Sequence, residues 1–367
     1  MISKAESSIT DLLETIYTYD TNDYKYSGKQ FKLKNLHLSI SELAALTNIK
    51  HENYSEIMEV YSDVCQKIST YPKNHVFPFA TKKEWDIVCA DVRSAHKSSD
   101  GMALFEEKFV PFLVHNDGSM NGIFTGYYCP ILKGSKNRTE KYQYPIYRKP
   151  PDLTNKIPYY SRKEIDDGAL DDKNLELLWV ADKVDLYILH IQGSGFVAME
   201  DGNLVHVGFD GKNGRPYSSI GEYLLRHKLI SPRDVSRMGD WLKANRKVAY
   251  DAFQINESYI FFKEIDNTEF IYGAHGSKLH PERSIAVDAQ YIPLGLPLFV
   301  QIPDANLFKI MFSQDTGQAI KGPIRGDVFF GTGNVAKGKA EKIKYFGSYY
   351  ILLHKEFLKY LEEYSDS

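Results

Sequence analysis

The chain has 367 residues, which is long for one domain and predicts two. Its hydrophobic fraction of 43% and charged fraction of 25% are those of an ordinary globular protein. The net charge of −3 provides no basic surface of the kind that binds nucleic acid, so nucleic acid is not expected as a partner.

The N-terminus predicts an amphipathic helix. Residues 1–17 lack the basic start and continuous apolar run of a signal peptide, and they place Ile9, Leu12, Leu13 and Ile16 on one helical face. No run of eighteen apolar residues occurs, so no transmembrane helix is predicted. An export signal is therefore either missing from this form of the chain or of an unusual kind.

Residues 1 to about 115 are predicted to be mainly helical, with candidate helices from Ser39 to Cys65 and from Met102 to Val114. After Ile123, short segments punctuated by Gly, Pro and Tyr predict strands. The strand candidates are Phe124–Leu132, Val184–Gln192, Ser258–Phe262, Pro297–Ile302, Phe308–Ser313, Asp327–Phe330 and Ser348–Leu353. Those after Gly273 suit a small closed barrel. A helical hairpin is predicted around Ser219–Leu242, and Glu362–Ser367 predicts a frayed tail.

The tyrosine and cysteine contents indicate which kinds of site are expected. Tyrosine is abundant, with 26 residues, and a tyrosine ring suits sugars because its face covers the apolar side of a pyranose. Cys65, Cys89 and Cys129 have no close spacing, so they predict neither a metal site nor a disulfide framework, and at most one bridge. No serine-hydrolase order or zinc-binding pattern is present.

Three aspartates stand in short β-type runs near glycines. Asp315 and Asp327 lie in QDTGQAIKGPIRGDVFFGTG with Lys321 and Arg325 between them, and Asp288 lies in SIAVDAQYIPLG. Rigidly held carboxylates suit cleavage of glycosidic bonds. Aspartate beside glycine also forms turns, and for Asp288 and Asp315 both interpretations stay open. Asp327 heads an apolar strand, where a carboxyl can keep its proton near neutral pH and act as an acid.

Two glycine-containing segments are candidates for substrate contact. In HIQGSGFV, Gln192 and Ser194 offer donors and acceptors to sugar hydroxyls, although a tight hairpin without ligand is the alternative. In FTGYYCP, Thr125 can orient a catalytic carboxylate, and Tyr127 or Tyr128 can stack on a sugar. An ordinary tyrosine-rich strand remains the alternative there.

Taken in order, these motifs resemble the lytic murein transglycosylase A (MltA) family, whose C-terminal part is the three-aspartate "3D" domain. The similarity covers about Phe124 to Leu353. It includes FTGYY, PYYSRKEIDDGAL, LLWVADKVDLYILHIQGSG, NGRPYSSIG, NESYIFF, RSIAVDAQYIPLG and DTGQAIKG…RGD. No single motif decides the resemblance, but the ordered series is highly specific.

The resemblance implies a mainly β fold with helical additions. Residues 1–129 and 268–367 would form a double-psi β-barrel domain, in which a helical N-terminal part joins the C-terminal 3D segment. Residues 130–267 would form an inserted, β-rich MltA-type domain, with a groove for a glycan strand between the two domains.

The implied reaction cleaves the β-1,4 bond between N-acetylmuramic acid and N-acetylglucosamine without water and leaves 1,6-anhydro-muramic acid ends. Asp327 would be the single catalytic acid and then base, supported by Asp315, Asp288 and Thr125. The substrate-binding residues would be Gly126, Tyr127, Gln192, Gly193, Ser194, Gly195, Tyr217 and Lys321. No metal or organic cofactor is implied.

The implied partners are peptidoglycan glycan strands and complexes for cell-wall synthesis or division, with the protein itself a monomer. The implied location is the cell envelope, periplasmic or associated with the outer membrane, although the family's secretion signal and lipoprotein cysteine are not seen. Cys129 and Gln318 depart from the family pattern, and either change can alter a contact with substrate.

The same residues are also compatible with two alternative functions. An inverting glycosidase would use Asp327 as acid and Asp315 as base on a water, with the carboxyls roughly 6.5–9.5 Å apart. A non-catalytic glycan-binding protein would keep its function after Asp327→Asn.

Overall fold

A computed structural model describes residues 30–364, apart from 34–35, 47, 76, 78, 117–118, 154–156, 232–236 and 267–268. The predicted helix at Ile9–Ile16 and the start of the second hairpin helix at Pro232 lie outside these residues. The chain divides into two compact units. The first contains residues 1–125, 272–329 and 343–367, and the second contains residues 126–271 and 330–342. The predicted domain limits stay a prediction; residues 330–342, which the prediction assigns to the barrel, fall in the second unit.

The described residues form sixteen strands and nine α-helices. The strands are β1 (Gln30–Leu33), β2 (Leu36–Ile40), β3 (Phe109–His115), β4 (Gly122–Cys129), β5 (Ile131–Ser135), β6 (Tyr144–Tyr147), β7 (Glu176–Val180), β8 (Ser194–Met199), β9 (Leu204–Lys212), β10 (Ile260–Ile265), β11 (Ser284–Val287), β12 (Pro297–Ile302), β13 (Leu307–Asp315), β14 (Arg325–Thr332), β15 (Lys344–His354) and β16 (Glu362–Tyr364). The helices are α1 (Tyr54–Ser69), α2 (Lys82–Ser98), α3 (Gly101–Lys108), α4 (Arg162–Asp166), α5 (Lys183–Gln192), α6 (Ile220–Arg226), α7 (Met238–Ala244), α8 (Arg246–Phe253) and α9 (Gly333–Ala340). No helix in this part of the chain is long and apolar enough to span a bilayer.

The first unit is built on a closed barrel. Its strands follow the order β12-β13-β11-β14-β4-β15, and β15 also pairs with β12, which closes the ring. Strands β3, β2, β1 and β16 extend the sheet beyond β15. The closed barrel predicted from the short C-terminal strands is therefore present.

The barrel wall alternates between buried and solvent-facing side chains, as strand geometry requires. On β4, Phe124 is fully buried while Ile123 is 42% exposed. On β14, a Cβ at Gly326 would lie 2.6–2.7 Å from the side chains of Ile285 and Phe124, so any other residue would force one of them to shift. The residues on either side of Gly326, Arg325 and Asp327, consequently face outward.

A helical layer packs on the barrel within this unit. The α1 helix presents Tyr61 to Phe312 of β13, with ring centroids 4.9 Å apart. The α2 helix begins with a capping box between Thr81 and Glu84, the pattern that satisfies first-turn amides. A disulfide joins the two helices through Cys65 and Cys89, so one bridge forms and Cys129 stays a buried thiol.

The second unit has a six-stranded sheet of order β10-β9-β8-β5-β7-β6, in which only the β5–β8 pair is parallel among the registers described. Leu186 and Leu189 of α5 pack against Val197 and Val207 of this sheet. The α5 helix also packs on α6, α7 and α8 through a second apolar cluster.

The prediction of a strand at Val184–Gln192 is wrong, because this segment is helix α5. The Asp182 side chain accepts a hydrogen bond from the Val184 amide and caps the helix, and Gly193 ends it in the left-handed region (φ 76°). The helix is buried both against the sheet and against other helices, so its sequence is a continuous apolar run without helical periodicity.

Two other predictions need correction. The end of the helix predicted to Val114 is instead strand β3, Phe109–His115, six of whose seven residues are buried; Pro111 would break a helix interior. Glu362–Tyr364, predicted to fray, pairs with β1 through Lys32↔Glu362 and its neighbours. That pairing joins residues from opposite ends of the chain, and no local pattern reveals it.

Reducing the Cys65–Cys89 bond should lower the free energy of unfolding by about 3 kcal/mol, because the bond closes a loop with a sequence separation of 24. Urea unfolding with and without reductant measures this loss. Cys129→Ala, which removes only the unpaired thiol, should respond to reductant as the wild type does. An unchanged urea midpoint after complete reduction would contradict the prediction.

Candidate functional site

The Asp327 carboxyl is the centre of the candidate site. It faces outward from β14, is partly accessible, and its Oδ1 accepts a hydrogen bond from Thr125 Oγ1 at 2.6 Å. Loss of hydration raises the pKa of Asp327 to about 6. The Thr125 hydrogen bond and the Arg325 charge act against this rise, while the negative charge of Asp315 adds to it. A carboxyl with this pKa can both give and take a proton near neutral pH.

Arg325 determines which way the Thr125 hydroxyl points. Its Nη2 donates to Thr125 Oγ1 at 2.8 Å, and its Nη1 donates to the Ile123 carbonyl at 3.1 Å. A guanidinium can only donate, so Thr125 accepts from Arg325 and directs its single hydroxyl proton to Asp327. No role for Arg325 is predicted from the sequence. The sequence does show that Arg325 lies two residues before Asp327, and on one strand this spacing places both side chains on the same face.

Asp315 and Asp327 flank the same residue of the sheet. Ala286 on β11 pairs with Asp315 of β13 on one side and with Asp327 of β14 on the other. Two strand spacings separate their Cα atoms by about 10 Å. Asp315 Oδ1 also accepts from the amides of Ala274 and Thr316, both at 2.9 Å. Asp315 therefore braces its own turn and lies near Asp327.

Asp288 is buried and organises the loops beside β11. Its carboxylate accepts from the amides of Gln290 at 3.2 Å and of Gly322 at 2.9 Å. The exposed Lys321 places its Nζ 3.9 Å from Asp288 Oδ1. The turn-forming interpretation of Asp288 thus matches its contacts, and the predicted Lys321 is its ionic neighbour.

Other predicted substrate-binding residues lie in the second unit, where several have structural partners. Gln192 Oε1 accepts from the Tyr128 amide at 3.1 Å, and Ser194 Oγ lies 2.9 Å from His206 Nε2. Gly193 is the residue that ends α5, and a Cβ there would meet nothing within 4 Å. Contact of these residues with substrate stays a prediction.

Two predicted glycines are required by packing. A Cβ at Gly126 would lie 2.7 Å from the Phe330 ring, and one at Gly195 would lie 2.5 Å from Leu189. Tyr127 and Tyr217 are partly exposed. Tyr217 lines a cavity of about 360 Å³ together with Tyr223 and neighbouring polar residues, which is the kind of surface that a sugar can use.

Among the described residues, no group of three His, Cys, Asp or Glu side chains is arranged to hold a metal ion.

The sequence of this chain matches known protein families and known proteins. The profile of the MltA specific insert domain matches residues 123–263, and that of the 3D domain matches residues 283–353. The membrane-bound lytic murein transglycosylase A of Escherichia coli K12 is 32% identical over 249 residues, covering 64% of this chain and 67% of that protein. The chain belongs to the lytic murein transglycosylase A family.

Two further members of the family extend the comparison. The Vibrio cholerae protein of the same name is 32% identical over 244 residues, but the match spans 63% of this chain and only 65% of that protein. The crystal structure of MltA from Neisseria gonorrhoeae in its monoclinic form is 29% identical, with a TM-score of 0.74, covering 89% of this chain and 95% of that one. The predicted MltA fold class, a β-barrel of the double-psi type with an inserted β-rich domain, is confirmed.

Thr125→Val should raise the pKa of Asp327 by about one unit, because the carboxylate loses a charge-assisted hydrogen bond that its neutral form needs less. Thr125→Ser, which keeps the hydroxyl, should leave that pKa close to the wild-type value. Carbon-13 NMR titration of the Asp327 carboxyl measures both variants. Equal pKa values in Thr125→Val and wild type would contradict the role of Thr125.

Proposed function

We propose that this chain is a peptidoglycan lytic transglycosylase. It cleaves the β-1,4 bond between N-acetylmuramic acid and N-acetylglucosamine without water and leaves 1,6-anhydro-muramic acid ends, with Asp327 as acid and then base. Family membership supports the reaction class. The observation that carries the assignment of Asp327 is its outward-facing carboxyl, whose pKa is raised to about 6 and which is held by Thr125.

The first step is protonation of the leaving oxygen. Thr125 occupies Oδ1 of Asp327, so Oδ2 is the oxygen that carries the proton toward the glycosidic oxygen. Loss of hydration favours the neutral acid before the reaction. As the proton leaves, the C1–O4 bond breaks and positive charge develops at C1 of the muramic sugar.

The second step returns the proton. Asp327 is now a carboxylate, stabilised by the Thr125 hydrogen bond and by the charge of Arg325. It takes the proton of the C6 hydroxyl while O6 bonds to C1 and closes the anhydro ring. The carboxyl ends the cycle protonated, no water is consumed, and one carboxyl serves both steps.

We further propose supporting roles and a location. Asp315, Asp288 and Lys321 support the site, and the predicted residues of the second unit contact the glycan: Gly126, Tyr127, Gln192, Gly193, Ser194, Gly195 and Tyr217. The relatives' description as membrane-bound supports a place in the cell envelope, and the Cys65–Cys89 disulfide fits an oxidising compartment. A periplasmic or outer-membrane-associated monomer that acts with cell-wall synthesis or division complexes is the finer proposal.

An inverting hydrolase is the second candidate, because Asp315 lies two strands from Asp327 at the same level of the sheet. Asp315 would then be the base that activates a water. The two mechanisms differ in their products, since hydrolysis leaves reducing ends.

Mass spectrometry of purified sacculi after digestion tests both candidates. Wild-type protein should release muropeptides with 1,6-anhydro ends, and Asp327→Asn, which cannot donate a proton, should lower the rate at least about 1,000-fold. Products with reducing ends would show that the protein is a hydrolase and not a transglycosylase. Sacculi that are bound but not cleaved by wild type would indicate a binding protein.

Asp327→Asn should also stabilise the fold above neutral pH. The pKa of Asp327 is raised in the folded state, so its contribution to stability is complete at low pH and is lost as pH rises through about 6. At pH 8 the variant should therefore exceed wild type by about 1 to 3 kcal/mol in free energy of unfolding, and the difference should vanish below about pH 4.

Urea unfolding at pH 8 and pH 4 measures this difference. Asp304→Asn, on an exposed turn, is the matched control and should show no comparable gain. A variant of Asp327 that is less stable than wild type at pH 8 would contradict the prediction.

A further inference from the structure

The outer wall of the barrel continues past the acid onto a third strand. Strand β4 lies between β14 and β15 in the sheet. Across the β4–β15 pair, Thr125 stands opposite Lys344, and Ile123 stands opposite Phe346. Directly opposite residues of an antiparallel pair share a face, so Lys344 and Phe346 lie on the same outer face as Thr125.

This part of the wall exposes two apolar side chains next to each other. Phe346 is 66% exposed and Ile123 is 42% exposed, and they are cross-strand neighbours. We call Ile123, Lys344 and Phe346 the β15 platform. An exposed aromatic ring beside an aliphatic side chain offers an apolar face of the kind that can cover a sugar ring.

The platform also carries a positive charge. Lys344 is exposed, and no ion pair involving it is found in the part of the chain that the structure describes. It lies opposite Thr125, which donates to Asp327, so its Cα is about 5 Å from that of Thr125. An aromatic ring, an aliphatic side chain and an ammonium group thus lie within two strands of the acid.

We propose that the β15 platform is a binding subsite for a sugar unit that bears a carboxylate, next to the bond that is cleaved. The Phe346 ring and Ile123 cover the apolar face of the sugar and its acetamide methyl, and Lys344 pairs with the carboxylate. This inference rests on the proposed function, because it takes peptidoglycan as the substrate. The occupant follows from the chemistry of the platform and its continuity with the acid: a neutral sugar would leave the lysine unused.

Binding constants measured with an Asp327→Asn background test the platform, because the substrate stays intact. Three probes are used: peptide-free glycan strands with free muramic carboxylates, strands that keep their peptides, and the neutral N-acetylglucosamine hexamer. Phe346→Ala should weaken binding of all three about tenfold, and Phe346→Tyr, which keeps a ring, should bind nearly as wild type.

Lys344→Gln should weaken binding of the peptide-free strands about threefold, because only these carry a free muramic carboxylate. It should leave the hexamer unchanged, and added salt should remove the difference. Weakening confined to peptide-free strands identifies the sugar's own carboxylate as the partner of Lys344. Weakening confined to strands with peptides would assign the pairing to a carboxylate of the peptide and overturn the sugar's own carboxylate as the partner.

Lys83→Gln on helix α2 and Phe209→Ala on strand β9 are matched controls that remove an exposed charge and an exposed ring elsewhere, and neither should change binding. Unchanged binding in Phe346→Ala would overturn the platform. A Lys344→Gln effect of equal size on the neutral hexamer would overturn the carboxylate partner.

A different result would contradict the proposed function: the unmutated protein would release no anhydro products from sacculi. In that case the binding constants would still show whether the platform holds a glycan.

Discussion

The site depends on one hydrogen bond, from the Thr125 hydroxyl to the Asp327 carboxyl. It joins two neighbouring strands whose residues are 202 positions apart in the chain. Arg325 makes the bond directional, because the guanidinium occupies the acceptor side of Thr125 and leaves only its proton for Asp327. Two opposing effects therefore act on the pKa of this carboxyl: partial loss of hydration favours the neutral acid, whereas a hydrogen bond and a cation favour the carboxylate. This balance suits a group that must both give and recover a proton.

The barrel supplies the rigidity that such a balance needs. Gly326 lets the wall close tightly around Phe124 and Ile285, and this packing turns Asp327 outward. Strand β11, which lies between the strands of Asp315 and Asp327, is anchored at its start by Arg283. Arg283 is buried and pairs with Glu52 at 2.8 Å and Glu56 at 2.9 Å. Because a buried charge that loses its partners is strongly destabilising, this cluster fixes the helical layer to the strand at the centre of the site.

Local sequence patterns predicted strands well where the strand was short and bounded by turns. The Pro297–Ile302 strand has the predicted bounds, and β13 and β14 extend the predicted strands by only a few residues. Val184–Gln192 was mistaken for a strand because a helix buried on several sides loses the periodicity that identifies it. The β16 strand was missed because its partner β1 lies at the other end of the chain. Likewise, the roles of Asp288 and Gly126 in loop bracing and packing depend on neighbours distant in sequence.

The sequence by itself determined the family and the β-rich class with a closed barrel, and it singled out the aspartate at the head of an apolar strand as the candidate acid. These follow from residue types in a fixed order and from short-range periodicity, both of which are local. Only the tertiary structure decided that Arg325 orients Thr125, that Asp315 and Asp327 flank Ala286, and that Lys344 and Phe346 lie opposite Thr125 and Ile123. The register between strands makes these neighbours, and register is set by the packing of the whole barrel, which no local stretch of sequence contains.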